Sequence, residues 1–310
     1  EDQPKKKGML FRRILMLICS ICLLGSGGVL ISYLIHSVQN QEDQLAMAKE
    51  YHQSGAEDAT VSQTMGYERN PSTITATPAA NNVFNTIPTA PPMQNDRYFT
   101  MIGVVKKEFK TLVRKNTDIV GWITIDGVVD QPIVFRNNTF YMTHDIKRNP
   151  NSCGAIFLDE NHPIHEDSQN VILYGHNMKD QTMFGKLQKY LDSNFLRNHY
   201  TITFSTRYET FSYIIFAVDD LSIDPESKHF FCFWGYSHFE SAESFRAYID
   251  GVNSHSLFSP YLDVNEDDTL LTLVTCNGNN QERLAIFARR MRPDDTPASI
   301  RHAQLHLVPR

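Results

Sequence analysis

The stretch TLVTCNGNNQERLAIFARR sets Cys276 at the end of an apolar run, follows it with a polar loop and opens the next apolar run with Arg283. A buried structural cysteine sits mid-strand and needs no cationic neighbour. A reactive thiol needs partial exposure and nearby positive charge, which favours the thiolate. If the two runs are adjacent antiparallel strands, the six residues Asn277 to Glu282 form the loop, and Cys276 and Arg283 face each other across the hairpin mouth. Arg289 lies further along the same face, about 20 Å away at the strand rise. Arg290 points to the opposite face. Arg283 is therefore the arginine within reach of the thiol. It can lower the thiol pKa, hydrogen-bond an oxyanion in acyl transfer, or pair with a surface carboxylate as arginines commonly do.

A thiol that attacks a carbonyl also needs a proton shuttle. With 12 histidines in the chain, the presence of one is uninformative. His176 stands out by its setting, VILYGHNM, where it follows Gly175 at the end of an apolar strand. His162 and His165, in NHPIHED, form a rival cluster with Glu166 and Asp167. Three-residue spacing in a proline-containing loop fixes no ligand geometry, so a solvated loop is expected there and no metal. Cys153 and Cys232 read as small, semi-buried hydrophobes.

These groups must be carried by something. The net charge of −6, with both signs interspersed, argues against a nucleic-acid binder. Ile14 to Ile35 is apolar and uncharged, and follows Lys5, Lys6, Lys7, Arg12 and Arg13. It is long enough to cross a hydrocarbon core of ~30 Å. No small-x-small cleavage site ends it, so an uncleaved anchor is expected over 14–36, with a basic cytoplasmic N-terminus (1–13) and the catalytic bulk outside the cell. Residues 37–97 read as a flexible extracellular tether. Its first part, VQNQEDQLAMAKEYHQS, is capable of a polar helix, and its later part is rich in Pro, Thr, Asn and Ala. A globular domain follows over 98–292. It opens with a helix that places Val104, Val105, Phe109, Leu112 and Val113 on one face. Eight short runs rich in β-branched and aromatic residues come next: 119–125, 132–135, 155–159, 171–175, 200–205, 208–221, 269–276 and 282–290. With only two helical patterns between them (183–192 and 237–253), these predict a mainly β fold, an eight-stranded closed barrel with peripheral helices. Residues 293–310 read as a polar tail. Its LVPR ending matches a protease-tag remnant, so His302 onward stays out of the site.

YGHNM (174–178), TLVTC (272–276) and the arginine opening the following run resemble the sortases, membrane-anchored transpeptidases of Gram-positive bacteria, and class B among them. The resemblance runs from about Asp118 to Arg290 and takes in DIVGWITIDG, GAIFLDENH and NVILYGHNMKDQTMFGKL. It implies the same eight-stranded barrel and a cofactor-free mechanism. In that mechanism Cys276 attacks the threonine carbonyl of a surface-protein sorting signal of the Asn-Pro-x-Thr type. His176 handles the protons, and Arg283 binds the oxyanion. Asn138 and Met142 in NNTFYM, and Thr275 beside the cysteine, are the implied substrate contacts. The acceptor would be an amine of a peptidoglycan precursor or a pilin lysine. Two other readings are a membrane-tethered cysteine protease and an anchored peptide-binding barrel. A papain-like protease places its cysteine on a helix near the domain start. A binding barrel has no need of Cys276, His176 and Arg283 together.

Overall fold

The structure, a computed structural model, describes residues 31, 32, 34–55, 105–161, 164, 168–276 and 281–310. Eight strands close a barrel: β1 (Ile119–Ile125), β2 (Val129–Val134), β3 (Ile156–Leu158), β4 (Asn170–Tyr174), β5 (Thr201–Thr206), β6 (Thr210–Ser222), β7 (Leu270–Cys276) and β8 (Glu282–Arg290). Around the barrel they run β1-β2-β3-β4-β7-β8-β6-β5, and β5 pairs back onto β1. Two neighbouring pairs are parallel, β2 with β3 and β4 with β7. All eight predicted runs are strands, with bounds shifted by a few residues.

Alternation along the strands makes two apolar faces. Ile123, Leu173, Leu273 and Ile286 fill the interior. Val274, Ala285 and Phe287 face outward and are covered by α4 (Ala242–His255) through Phe245 and Tyr248. Ser241 caps α4 and Ser244 completes a capping box. The helix expected over 183–192 is instead a 3-10 turn over Gly185–Leu191, followed by the short α3 (Ser193–Asn198). Leu187 and Tyr190 are both buried there, and a 3-10 turn aligns residues three apart on one side.

Two segments differ from expectation. Residues 34–55 form a helix, α1, held against the barrel, so the tether does not begin at residue 37. Asn40, Gln44, Met47 and Tyr51 are buried at helical spacing. Two of the four are amides, so the stripe carries little hydrophobic signal. Tyr51 stacks on Trp122 with ring centroids 4.3 Å apart, and its edge meets Phe109 of α2 (Lys107–Lys115). The C-terminal segment also packs. Thr296 caps α5 (Pro297–Ala303), Ile300 and Leu307 are buried, and Arg310 N donates to Leu257 O at 2.9 Å. Proline at the helix start and two apolar residues seven apart suffice to dock a segment whose composition is polar. Most of the run expected as an anchor (14–36) and residues 56–97 of the tether lie outside the described residues. Among those described, no helix is long and apolar enough to cross a membrane.

Asp219 lies mid-strand in β6, fully buried, and neither carboxyl oxygen has a hydrogen-bond partner among the described residues. Burial pushes its pKa well above the ordinary carboxylate value, against smaller opposing effects from Ser256 and the distant charge of Arg310. A raised carboxyl pKa means that the folded state holds a proton the unfolded chain releases. The resulting stability is complete below the unfolded pKa and is lost as pH rises towards the folded one. Asp219→Asn removes that titration. The melting temperature of the variant relative to wild type is therefore expected to rise between pH 4 and pH 7, each unit of displaced pKa being worth about 1.4 kcal/mol. Thermal melts of both proteins across that range check it, and a difference independent of pH refutes it.

Candidate active site

β4 and β7 run parallel with Tyr174 opposite Val274, so both end on one rim of the barrel. β7 and β8 are antiparallel with Cys276 opposite Arg283, the pairing the hairpin argument required. Beyond β4, Gly175 N still donates to Val274 O at 3.2 Å, and the chain then turns off into the His176 loop. A cavity of about 210 Å³ opens at this rim, lined by Asn138, Met142, Phe157, Tyr174, His176, Thr275 and Arg283. Asn138, Met142, His176, Thr275 and Arg283 all border this cavity, and the backbone of Cys276 adjoins it through its chain neighbour Thr275 and its strand partner Arg283.

His176 Nε2 lies 2.7 Å from the carbonyl oxygen of Met142. A carbonyl only accepts, so Nε2 carries a proton in either charge state, and Nδ1 is left as the nitrogen that gains and loses one. Met142 ends a 3-10 turn (Phe140–Met142); its carbonyl orients the histidine, while its side chain is exposed beside the cavity. Gly154 supports the same arrangement. It has φ +61, and a Cβ there would come within 2.5 Å of Tyr141 O and 3.0 Å of His176 Cδ2. The turn after His176 is closed by a bridge between Asn177 and Met183 and by Phe184 N donating to His176 O at 3.0 Å. Gln181 (φ 64) and Met183 (φ 49) adopt left-handed backbone there. Such conformations cost about 1–3 kcal/mol each and persist only where their surroundings hold them.

The implied substrate contacts differ in kind. Thr275 is buried, and its hydroxyl has no hydrogen-bond partner among the described residues, so a polar group borders the cavity unsatisfied. Asn138 ties its loop to the segment that follows β3: Nδ2 donates to Asp159 at 3.3 Å and Oδ1 accepts from Glu160 N at 2.9 Å. It shapes the wall and retains one amide hydrogen. Tyr174 and Phe157 received no role from the sequence, yet both line the cavity, with ring centroids 5.5 Å apart. Tyr174 is the final strand residue of the quoted YGHNM, and its place next to a glycine–histidine turn was the available signal. Burial and then the Asp159 carboxylate push its phenol above the ordinary value, while the nearby Arg283 charge pulls the other way. Tyr174 therefore faces the cavity as a neutral hydroxyl.

The other two arginines are engaged elsewhere. Arg289 is 2% exposed, holds Asp295 through Nη1 and Nη2 at 2.7 and 2.9 Å, and donates to Asp263 O. Arg290 lies over the Phe211 ring at 3.8 Å. His162, His165, Glu166 and Asp167 fall outside the described residues.

Compared with known proteins, the sortase-domain family model matches residues 124–291, more than half of the chain. A sortase B of Listeria monocytogenes is 33% identical over 177 residues, spanning 56% of this chain and 69% of the relative. A sortase B of Staphylococcus aureus is 27% identical over 190 residues, 60% of this chain and 75% of the relative. Among solved structures, sortase B of B. anthracis in complex with AAEK1 superposes with a TM-score of 0.54 at 30% identity, covering 61% of this chain and 86% of that one. A Staphylococcus aureus sortase B–substrate complex gives a TM-score of 0.55 at 26% identity, covering 61% and 87%.

Proposed function

We propose a function on one premise: this chain belongs to the sortase family, and within it to class B. It is a transpeptidase that uses a cysteine. The finer reading is that Cys276 takes the acyl group of a sorting signal of the Asn-Pro-x-Thr type and passes it to a cell-wall amine. The observation that carries it is the cross-strand pairing of Cys276 with Arg283 on the rim where His176 also lies.

The Cys276 thiolate attacks the threonine carbonyl carbon. The carbonyl π pair moves to oxygen, and the Arg283 guanidinium donates to that oxyanion. As the oxyanion collapses, the C–N bond breaks and the proton on His176 Nδ1 passes to the leaving amine, giving a thioester and a free C-terminal fragment. Neutral His176 then takes a proton from the incoming amine as that nitrogen attacks the thioester. The thiolate departs, and His176 is again protonated. Thr275 Oγ and the remaining Asn138 amide hydrogen supply polar contacts to an extended peptide, and Tyr174 and Phe157 supply its apolar wall.

Membrane attachment belongs to the same reading. Leu34, Ile35 and Val38 in the first turns of α1, and Ile31 just before it, are exposed and continue the apolar run from Ile14. This supports an anchor with the catalytic domain outside the cell. The test is incubation of the protein with Asn-Pro-x-Thr peptides, with and without a triglycine or lysine amine, followed by mass spectrometry. A Cys276 thioester and amine-dependent ligation are expected. Hydrolysis that no amine diverts would make the protein a protease, and binding without cleavage would make it a peptide-binding barrel.

A further inference from the structure

The His176 loop carries two non-glycine residues in left-handed backbone, at Gln181 and Met183, so something outside the loop must hold it. Helix α1 covers it. Ser37 Oγ donates to the Asp180 carboxylate. Gln44 Nε2 approaches Met183 Sδ at 3.7 Å, while Gln44 Oε1 accepts from Gln131 on β2 at 2.7 Å. Within the loop, the other Asp180 oxygen accepts from Thr182 N and Oγ1 at 3.0 and 2.6 Å, so the carboxylate gripped by Ser37 also sets the turn. Gln44 joins the loop to the barrel wall. We infer that α1 is the positioning element of the His176 loop, acting through Ser37 and Gln44, so that the segment directly following the apolar run sets the placement of the proton-transferring histidine.

The inference rests on the proposed role of His176 for its kinetic consequence, but not for the mechanical coupling itself. Docking of α1 as a whole is separable from its grip on the loop, because the helix is also held by Asp43 to Lys147 at 2.6 Å and by His52 to Asp130 at 2.8 Å, neither of which involves a loop residue. The full chain is compared as wild type, Ser37→Ala/Gln44→Ala, Ser37→Thr and Asp43→Ala, with Asp180→Asn approaching the same contact from the loop side. Displacing a catalytic group by about an ångström costs up to about 10²-fold in rate. The double variant is expected to lose about tenfold or more in kcat for peptide cleavage at unchanged KM. Asp180→Asn should show the same signature, Ser37→Thr should restore kcat, and Asp43→Ala should leave it intact. Amide hydrogen exchange over residues 176–184, read on the same samples, should accelerate in the double variant and not in Asp43→Ala. That readout stands even if no peptide is turned over. Unchanged exchange in the loop, or a kcat loss matched by Asp43→Ala, would overturn the inference.

Discussion

Cys276→Ala is expected to bring acyl-enzyme formation down to background without lowering the melting temperature. Where a nucleophile acts as a unit with its base, removing it alone costs on the order of 10⁶ in rate. The described free cysteines cannot take over. Cys153 is fully buried, and burial together with the Asp180 charge pushes its thiol up to about 11. Burial also raises the Cys232 thiol. Both are therefore poor sources of thiolate at neutral pH. Cys276 ends β7 at the rim, with Arg283 as its strand partner. Labelling with a methanethiosulfonate reagent should inactivate wild type, Cys153→Ala and Cys232→Ala alike. Peptide cleavage that survives Cys276→Ala and is still abolished by the reagent would place the nucleophile elsewhere.

Much of this site was legible because the chemistry sits at strand ends, where an alternating apolar pattern stops at a polar residue. The pairing of Cys276 with Arg283 needed only a loop length and antiparallel pairing, and the barrel register reproduces it. His176 was legible for a related reason, since a glycine and a histidine end the β4 run. The supporting parts were hidden because their signals are not hydrophobic. Gly154 matters through its positive φ and the absence of a Cβ, and one glycine among 15 does not announce that. The stripe on α1 is half amide, so its burial shows only once Trp122, Met183 and Gln131 are seen to receive it. The C-terminal segment is polar in composition, yet Ile300 and Leu307 suffice to dock it. Asn138 was marked by the resemblance alone: it lines the cavity, and the bonds it makes to Asp159 and Glu160 join segments too far apart in sequence to be read from local pattern.

Arg283 and Arg289 lie on one strand, and their replacement should separate catalysis from stability. Arg283 borders the cavity, and its charge reaches Tyr174. If it only favoured the thiolate, lysine would substitute and the variants would mainly shift the pH profile. If it binds the oxyanion, the planar fork of donors is required, and both Arg283→Lys and Arg283→Ala lose about 10²–10³ in single-turnover acylation at any pH. The second outcome is expected on the proposed mechanism, in which the cross-strand partner of Cys276 donates to the carbonyl oxygen under attack. Arg289→Ala should do the reverse. Its guanidinium is buried on Asp295 and Asp263, and it holds the Asp295 carboxyl below the ordinary range. Breaking such a pair costs about 3–5 kcal/mol. A lowered melting temperature is therefore expected, with near-normal acylation by the fraction that stays folded. Arg290→Ala, which loses a ring contact with Phe211, should be mild in both respects. Acylation by a sorting peptide from pH 5 to 9, alongside thermal melts of the same four variants, reads both axes. Near-wild-type acylation in Arg283→Ala, or a larger catalytic loss in Arg289→Ala at equal folded fraction, would show that the oxyanion is bound by a different group.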